Sequence, residues 1–281
     1  MMQRIVAVAN HKGGCGKTTT AFNLAGALAE RGFSVLVVDM DAQAALTKGF
    51  DVAEPAEIAL ADVLAREDVD LRRVICPTAY RGVEVIPADD RLREVELGLA
   101  TKFAREMRLR IALQQYPVAH DVILIDCAPS LGFLMGNALV AAQEVVLPVD
   151  LGIDSLDAMN ETMTHMSFIR RHINPALHTL GILINNVKKV RTNYGEQAEE
   201  FLRNRHGDLV FRTRIHQSVV IPEAKSARQP IVFYQPRSGS ADEYRQLAGE
   251  VISRGETGEW LNIAGSTSPA SPGQLPSGTA R

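Results

Sequence analysis

The chain lacks any long apolar run. Nowhere in its 281 residues does a stretch approach the roughly 18 apolar residues that a membrane-spanning helix needs, so no transmembrane helix is expected. The N-terminus leads directly into Ile5-Val6-Ala7-Val8-Ala9, too short for the apolar region and cleavage site of a secretory leader. Cysteine is scarce, with only Cys15, Cys76 and Cys127 and no C-x-x-C spacing. That odd, sparse set argues against a disulfide framework and for a reducing compartment, so a cytoplasmic location is expected. The histidines are scattered, with no H-x-x-x-H spacing, and suggest no metal site. Charge of either sign is not in large excess. A net charge of −3 means that any nucleic-acid contact must come from a local patch.

What remains is an ordinary globular composition, 46% hydrophobic and 22% charged, enough for one large core or two small ones. Short runs rich in Val and Ile recur at residues 5–9, 34–38, 83–86, 122–125, 145–149 and 180–184. They are mostly continuous instead of alternating, as strands are when both sheet faces are buried. Helix-length segments lie between them at 17–31, 56–66, 90–115, 132–142 and 155–172, followed by amphipathic stretches at 193–206 and 241–254. The alternation predicts an α/β fold: a mostly parallel, twisted sheet with helices on both faces. Gly32 suits the position just past a helix end, and Ser130 is placed to cap the helix that follows it. Residues 1–255 read as one domain. From about Gly255 the chain becomes Gly, Ser, Pro, Thr and Ala with few large apolar side chains. Such a segment cannot repay its ordering entropy, so 256–281 is expected to be a disordered tail.

The first strand runs into His11-Lys12-Gly13-Gly14-Cys15-Gly16-Lys17-Thr18-Thr19, which opens a helix. This is a phosphate loop in its required strand-to-helix context. Glycines let the backbone approach phosphate, and the N–H groups of Gly13, Gly14, Cys15, Gly16, Lys17, Thr18 and Thr19 can form an anion nest at the helix N-terminus. Lys17 is expected on the β- and γ-phosphates and the Thr18 hydroxyl on Mg²⁺. The common pattern begins with Gly where this chain has His11, and it lacks the additional Lys12.

Here the sequence resembles the ParA/MinD family of deviant P-loop ATPases. Val37-Val38-Asp39-Met40-Asp41-Ala42-Gln43 is similar to the family's D-x-D-P-Q segment, and Ile123-Leu124-Ile125-Asp126-Cys127-Ala128-Pro129-Ser130-Leu131-Gly132 to its Walker B motif. Asn137-Ala138-Leu139, Pro222-Glu223-Ala224 and Tyr244-Arg245-Gln246-Leu247-Ala248 extend the likeness over about 250 residues. Ala42 and Ala128 depart from it, each replacing a usual proline, and Ala45 stands where Asn or Ser is common. The resemblance implies ATP and Mg²⁺ as cofactors and slow, partner-stimulated ATP hydrolysis. Asp126 would serve the metal with Thr18, Asp39 would assist the metal shell, and Asp41 would orient the attacking water. Lys12 would reach across an ATP-dependent homodimer to the partner's nucleotide. Asn185, with Asn186 beside it, falls where the family contacts adenine. A related iron-protein family bridges a metal cluster between subunits with two placed cysteines per chain. The three cysteines here read instead as buried or loop residues.

Three outputs suit such a core: non-specific DNA binding that segregates or positions a plasmid, chromosome or protein cargo; membrane-associated positioning of the MinD type; or metal-cluster handling. Membrane placement needs a basic amphipathic C-terminal helix, and the Ser-Pro-Gly-rich end supplies only Trp260, Leu261 and Ile263, so no stable membrane anchor is expected. Residues 185–237 hold ten Lys and Arg against five acids. Lys188, Lys189, Arg191 and Arg214 are the candidate DNA contacts, Arg191 because Arg191-Thr192-Asn193 resembles a DNA-contacting R-T-N stretch in chromosomal ParA proteins. With no helix-turn-helix segment before the phosphate loop, contact should be sequence-independent and salt-dependent. The expected partners are DNA and a ParB-like or cargo-adaptor protein, and the expected location is the nucleoid.

Overall fold

The computed structural model describes residues 3–52, 58–188 and 193–256. The DNA candidates Lys189 and Arg191 and the tail from 257 onward lie outside the described residues. In chain order the elements are β1 (Arg4–Val8), α1 (Lys17–Glu30), β2 (Val35–Met40), α2 (Ala45–Gly49), α3 (Leu60–Ala65), β3 (Cys76–Pro77), β4 (Val83–Ile86), α4 (Arg91–Gly98), α5 (Arg108–Gln115), β5 (Val122–Cys127), α6 (Phe133–Ala141), β6 (Glu144–Val149), α7 (Ile153–His172), β7 (His178–Val187), α8 (Asn193–His206), β8 (Val210–His216), α9 (Val220–Ser226), α10 (Ile231–Tyr234) and α11 (Gly239–Glu256). The strands form one sheet in the order β3-β4-β2-β5-β1-β6-β7-β8, parallel except for β3.

Strands β2, β5 and β6 are buried along their whole length, as continuous Val/Ile/Leu runs should be in a sheet covered twice. One core packs α1, α10 and α11 on one face; a second packs α3 to α8 on the other. Strand order turns around at β1, whose neighbours are β5 and β6. The loops after β1, β2, β5, β6 and β7 therefore meet along one rim, where open α/β sheets bind ligands.

Three local expectations change. The segment at 90–115 is not one helix: Gly98 weakens it, Ala104 takes a left-handed φ of 52°, and α4 and α5 bury Leu92 and Leu109 separately in the same core. Ser130 does not cap α6. Gly132 occupies that position without a side-chain cap, and the Phe133 N–H instead donates to Glu96 Oε1 of α4 at 3.1 Å. Strand β8, Val-Phe-Arg-Thr-Arg-Ile-His, was not expected because its polar residues alternate, as befits a sheet edge. Gly32 ends α1 as expected, at φ 92° with its N–H on the Ala29 carbonyl.

Candidate functional site

The phosphate loop crosses from β1 to α1 with Gly14 and Gly16 at φ 77° and 92°, conformations that favour glycine. Gly13 and Gly14 are exposed, and a Cβ on either would meet nothing within 4 Å, so no protein atom covers the loop at these two positions. Gly16 is the N-cap of α1 and offers no side chain. The leading N–H groups of that helix are left for an anion.

Both lysines rest on acceptors of their own chain. The buried Lys17 ammonium donates to the Lys12 carbonyl at 2.9 Å. The Lys12 ammonium lies 3.3 Å and 3.5 Å from the two oxygens of Asp150, the residue directly after β6. The loop backbone is tied down beside them. Lys12 N–H donates to Asn10 Oδ1, and Asn10 Nδ2 donates to the Pro148 carbonyl at 2.8 Å. His11 reaches α7, its N–H donating to Thr162 Oγ1 at 3.1 Å and its Nε2 lying 3.2 Å from Glu161. Cys15 is buried with its thiol on the Lys12 carbonyl, and burial raises its pKa.

The carboxylates stand on adjacent strands. Asp39 of β2 and Asp126 of β5 are register partners, and both are fully buried. Asp39 is heavily engaged: its Oδ2 accepts from the N–H and hydroxyl of Thr47 at 2.9 and 2.7 Å, and its Oδ1 accepts from Asp41 N–H at 3.2 Å. Burial pushes its pKa up to about 6, against the pull of those hydrogen bonds. Asp126 differs. Neither of its oxygens completes a hydrogen bond, although the Thr18 hydroxyl faces it as a donor. Burial, then the charge of Asp39, hold its carboxyl well above the ordinary range, although Thr18 and Lys17 pull the other way. An orphaned buried carboxylate beside an open anion nest fits a divalent cation brought in by a phosphate ligand. Among the described residues no group of three His, Cys, Asp or Glu side chains is placed to hold a metal, so the remaining ligands at Asp126 would be Thr18, phosphate and water. Asp41, half-buried, has one oxygen on the Gln43 N–H at 2.9 Å. The neighbouring Cys127 is buried, and burial with the Asp126 charge raises its pKa.

The two asparagines part company. Asn185 is buried and donates to the Cys15 carbonyl at 2.8 Å, so close to the loop that a Cβ on Gly16 would collide with its Nδ2. Asn186 is exposed at φ 58° and lines a cavity of about 370 Å³ with Asp150, Lys188, Tyr194, Arg214 and His216. Strand alternation at the end of β7 separates them. Of the DNA candidates, Lys188 is exposed, whereas Arg214 points to Glu199 at 3.0 Å, a carboxylate that also takes Arg203 at 2.7 Å. Sequence reasoning passed over Asp150, Asn10 and Thr47. Asp150 alone carried a signal, since it ends an apolar strand just as Asp126 does.

A family model described as an AAA domain matches residues 3–179. The sporulation initiation inhibitor protein Soj of Bacillus subtilis is 38% identical over 255 residues, covering 90% of this chain and all of that one. The chromosome partitioning protein ParA of Caulobacter vibrioides is 35% identical over 254 residues, covering 89% and 94% of the two chains. Among solved structures, cobyrinic acid a,c-diamide synthase from Mycobacterium smegmatis with bound ADP and magnesium superposes with a TM-score of 0.78 at 30% identity, over 92% of this chain and 97% of that one.

Proposed function

This chain belongs to the ParA/MinD family of P-loop ATPases, and from that premise we propose that it is an ATP-gated dimer that binds DNA without sequence preference and segregates or positions a plasmid, chromosome or protein cargo. One observation supports the reading above the others: Asp126 is buried without a completed hydrogen bond, facing the Thr18 hydroxyl, beside a phosphate loop that carries two lysines. That arrangement costs the empty protein stability and has a use once MgATP is present.

In this reading Lys17 exchanges the Lys12 carbonyl for the β- and γ-phosphates, and the Gly13–Thr19 amides with the α1 N-terminus hold the phosphate oxygens. Mg²⁺, when bound, neutralises charge that builds up on the transferring phosphoryl group. Thr18 and Asp126 would hold it, while Asp39 fixes the loop that presents Asp41 through its bonds to Thr47 and the Asp41 amide. Asp41 orients the attacking water. Asn186, which faces the cavity at the rim, contacts the base in place of Asn185, which braces the loop. Lys12 acts on the nucleotide of the second subunit, supplying positive charge as an arginine finger does.

Equilibrium sedimentation of Asp41→Ala tests the dimer. With saturating MgATP this variant should sediment as a dimer, and with ADP as a monomer; a monomer in both sinks the reading.

The proposed output is DNA binding in the cytoplasm, on the nucleoid, with a ParB-like or cargo-adaptor protein stimulating slow hydrolysis. Membrane attachment through the last described helix is disfavoured. Ala241, Tyr244, Leu247, Ala248 and Val251 of α11 are buried in the core, and no described helix is long and apolar enough to cross a membrane. Arg191→Glu should lower DNA affinity and flatten the dependence of log K on log salt by about one for each phosphate that the variant no longer neutralises. Fluorescence anisotropy with a random duplex across a salt series checks this, with MgATP affinity measured in parallel. An unchanged slope removes Arg191 from the interface.

A further inference from the structure

We propose that Asp150 is a latch for Lys12, holding it within its own subunit until MgATP and a second copy of the chain draw it away. The inference rests on the reading of Lys12 given above and adds to it a residue that controls when Lys12 is available.

Asp150 is fixed in place independently of the lysine. Its N–H donates to the Oγ of buried Ser155 at 3.2 Å, and its Oδ1 accepts the Gly152 N–H at 2.9 Å, closing the turn that opens α7. The acceptor is therefore preformed. Lys12 is steered to it from the other side, through its own N–H on Asn10 and the Asn10 side chain on β6. Gly152 leaves room for the pair, since a Cβ there would lie 2.9 Å from Asp150 Oδ1 and 3.8 Å from Lys12 Nζ. The resulting ion pair is partly exposed on both sides, 29% and 24%. Asp150 neutralises the charge that Lys12 would bring to a phosphate of another subunit and holds the ammonium on its own side.

The strength of the pair suits a latch. Ion pairs this exposed change an equilibrium by about two- to five-fold. That is enough to hold Lys12 in the empty chain and too little to resist a triphosphate. A twofold dimer opens two latches, so the effect on dimerisation enters as its square.

The test uses the full chain. Asp150→Asn keeps an oxygen for the Gly152 N–H and removes the charge that holds Lys12. With Mg²⁺ and a non-hydrolysable ATP analogue, its monomer–dimer dissociation constant in sedimentation should fall about 4- to 25-fold below wild type. The gain should vanish when Lys12 is absent, so Lys12→Ala and Lys12→Ala/Asp150→Asn should dimerise equally. A role of Asp150 in the α7 turn alone would not give that dependence on Lys12. Asp150→Ser, whose hydroxyl can also accept the Gly152 N–H, gives the same readout should the asparagine variant fail to fold. A wild-type dimer with an unchanged or weaker Asp150→Asn dimer overturns the latch. A wild-type chain that stays monomeric with the analogue overturns instead the reading of Lys12 on which the latch rests.

Discussion

Lys17→Ala is expected to lose MgATP affinity by about 10²-fold or more. Lys17 is buried, its ammonium sits on the Lys12 carbonyl, and its charge is felt at Asp126. Two charge-assisted hydrogen bonds to phosphate are worth about 1.5–3 kcal/mol each. The bond it gives up to the Lys12 carbonyl offsets part of that gain, which is why the expected loss is nearer the lower limit of the sum. Lys17→Arg should not restore binding, because a planar guanidinium cannot occupy a buried point-charge position. Titration calorimetry or a fluorescent nucleotide measures the effect. Lys12→Ala, measured beside it, should bind the monomer's nucleotide almost normally. A Lys17→Ala affinity within tenfold of wild type would contradict the assignment.

The second large effect is on stability, and its sign is opposite to that of most point substitutions. Asp126→Asn should raise the melting temperature of the nucleotide-free protein at pH 7–8. Burial holds both Asp126 and Asp39 above the ordinary carboxylate pKa, Asp39 at about 6. A carboxyl whose pKa is raised by folding binds its proton more tightly in the folded chain than in the unfolded one. Its contribution is therefore most favourable at low pH and falls as pH rises from near 4 through the folded-state pKa. For Asp39 that span corresponds to about 3 kcal/mol, at about 1.4 kcal/mol per unit. For Asp126→Asn the direction is the same, a higher melting temperature once pH exceeds the ordinary carboxylate range. The gain should disappear near pH 5, where the asparagine replaces a carboxyl that is already neutral. The same variant should lose magnesium-dependent nucleotide binding. Thermal melts at pH 5 and pH 8, with and without MgATP, check both. A lower melting temperature at pH 8 would show that Asp126 is satisfied in some other way.

The parts of this site that could be read from sequence are those whose chemistry is contiguous. The loop from His11 to Thr19 concentrates its function in nine neighbouring residues, and Asp126 announces itself by ending an apolar strand. The parts that could not be read depend on residues brought together from afar. Asn10 meets Pro148, Lys12 meets Asp150, and Asn185 meets Cys15, each across more than 130 positions. The choice between Asn185 and Asn186 depends on which side of β7 faces the loop, and that requires the strand's register. In the fold, continuous apolar strands were legible because both their faces are covered. β8 was not, because its exposed positions carry arginines, and the break between α4 and α5 turns on one left-handed residue, Ala104.

Glu96 leaves the loop beyond Asp126 with a remote tether. The first amide of α6 is held by a carboxylate 37 residues upstream, on α4, where the local sequence supplies no cap. The hydrogen bond is already 3.1 Å long, so a slide of α4 by about half an ångström takes it past useful range. On the same stretch of chain, Leu97 and Phe103 are 78% and 96% exposed. The start of α6 is joined to this stretch by the Glu96 bond and by Asn137, which accepts the Leu109 N–H and donates to the Arg105 carbonyl.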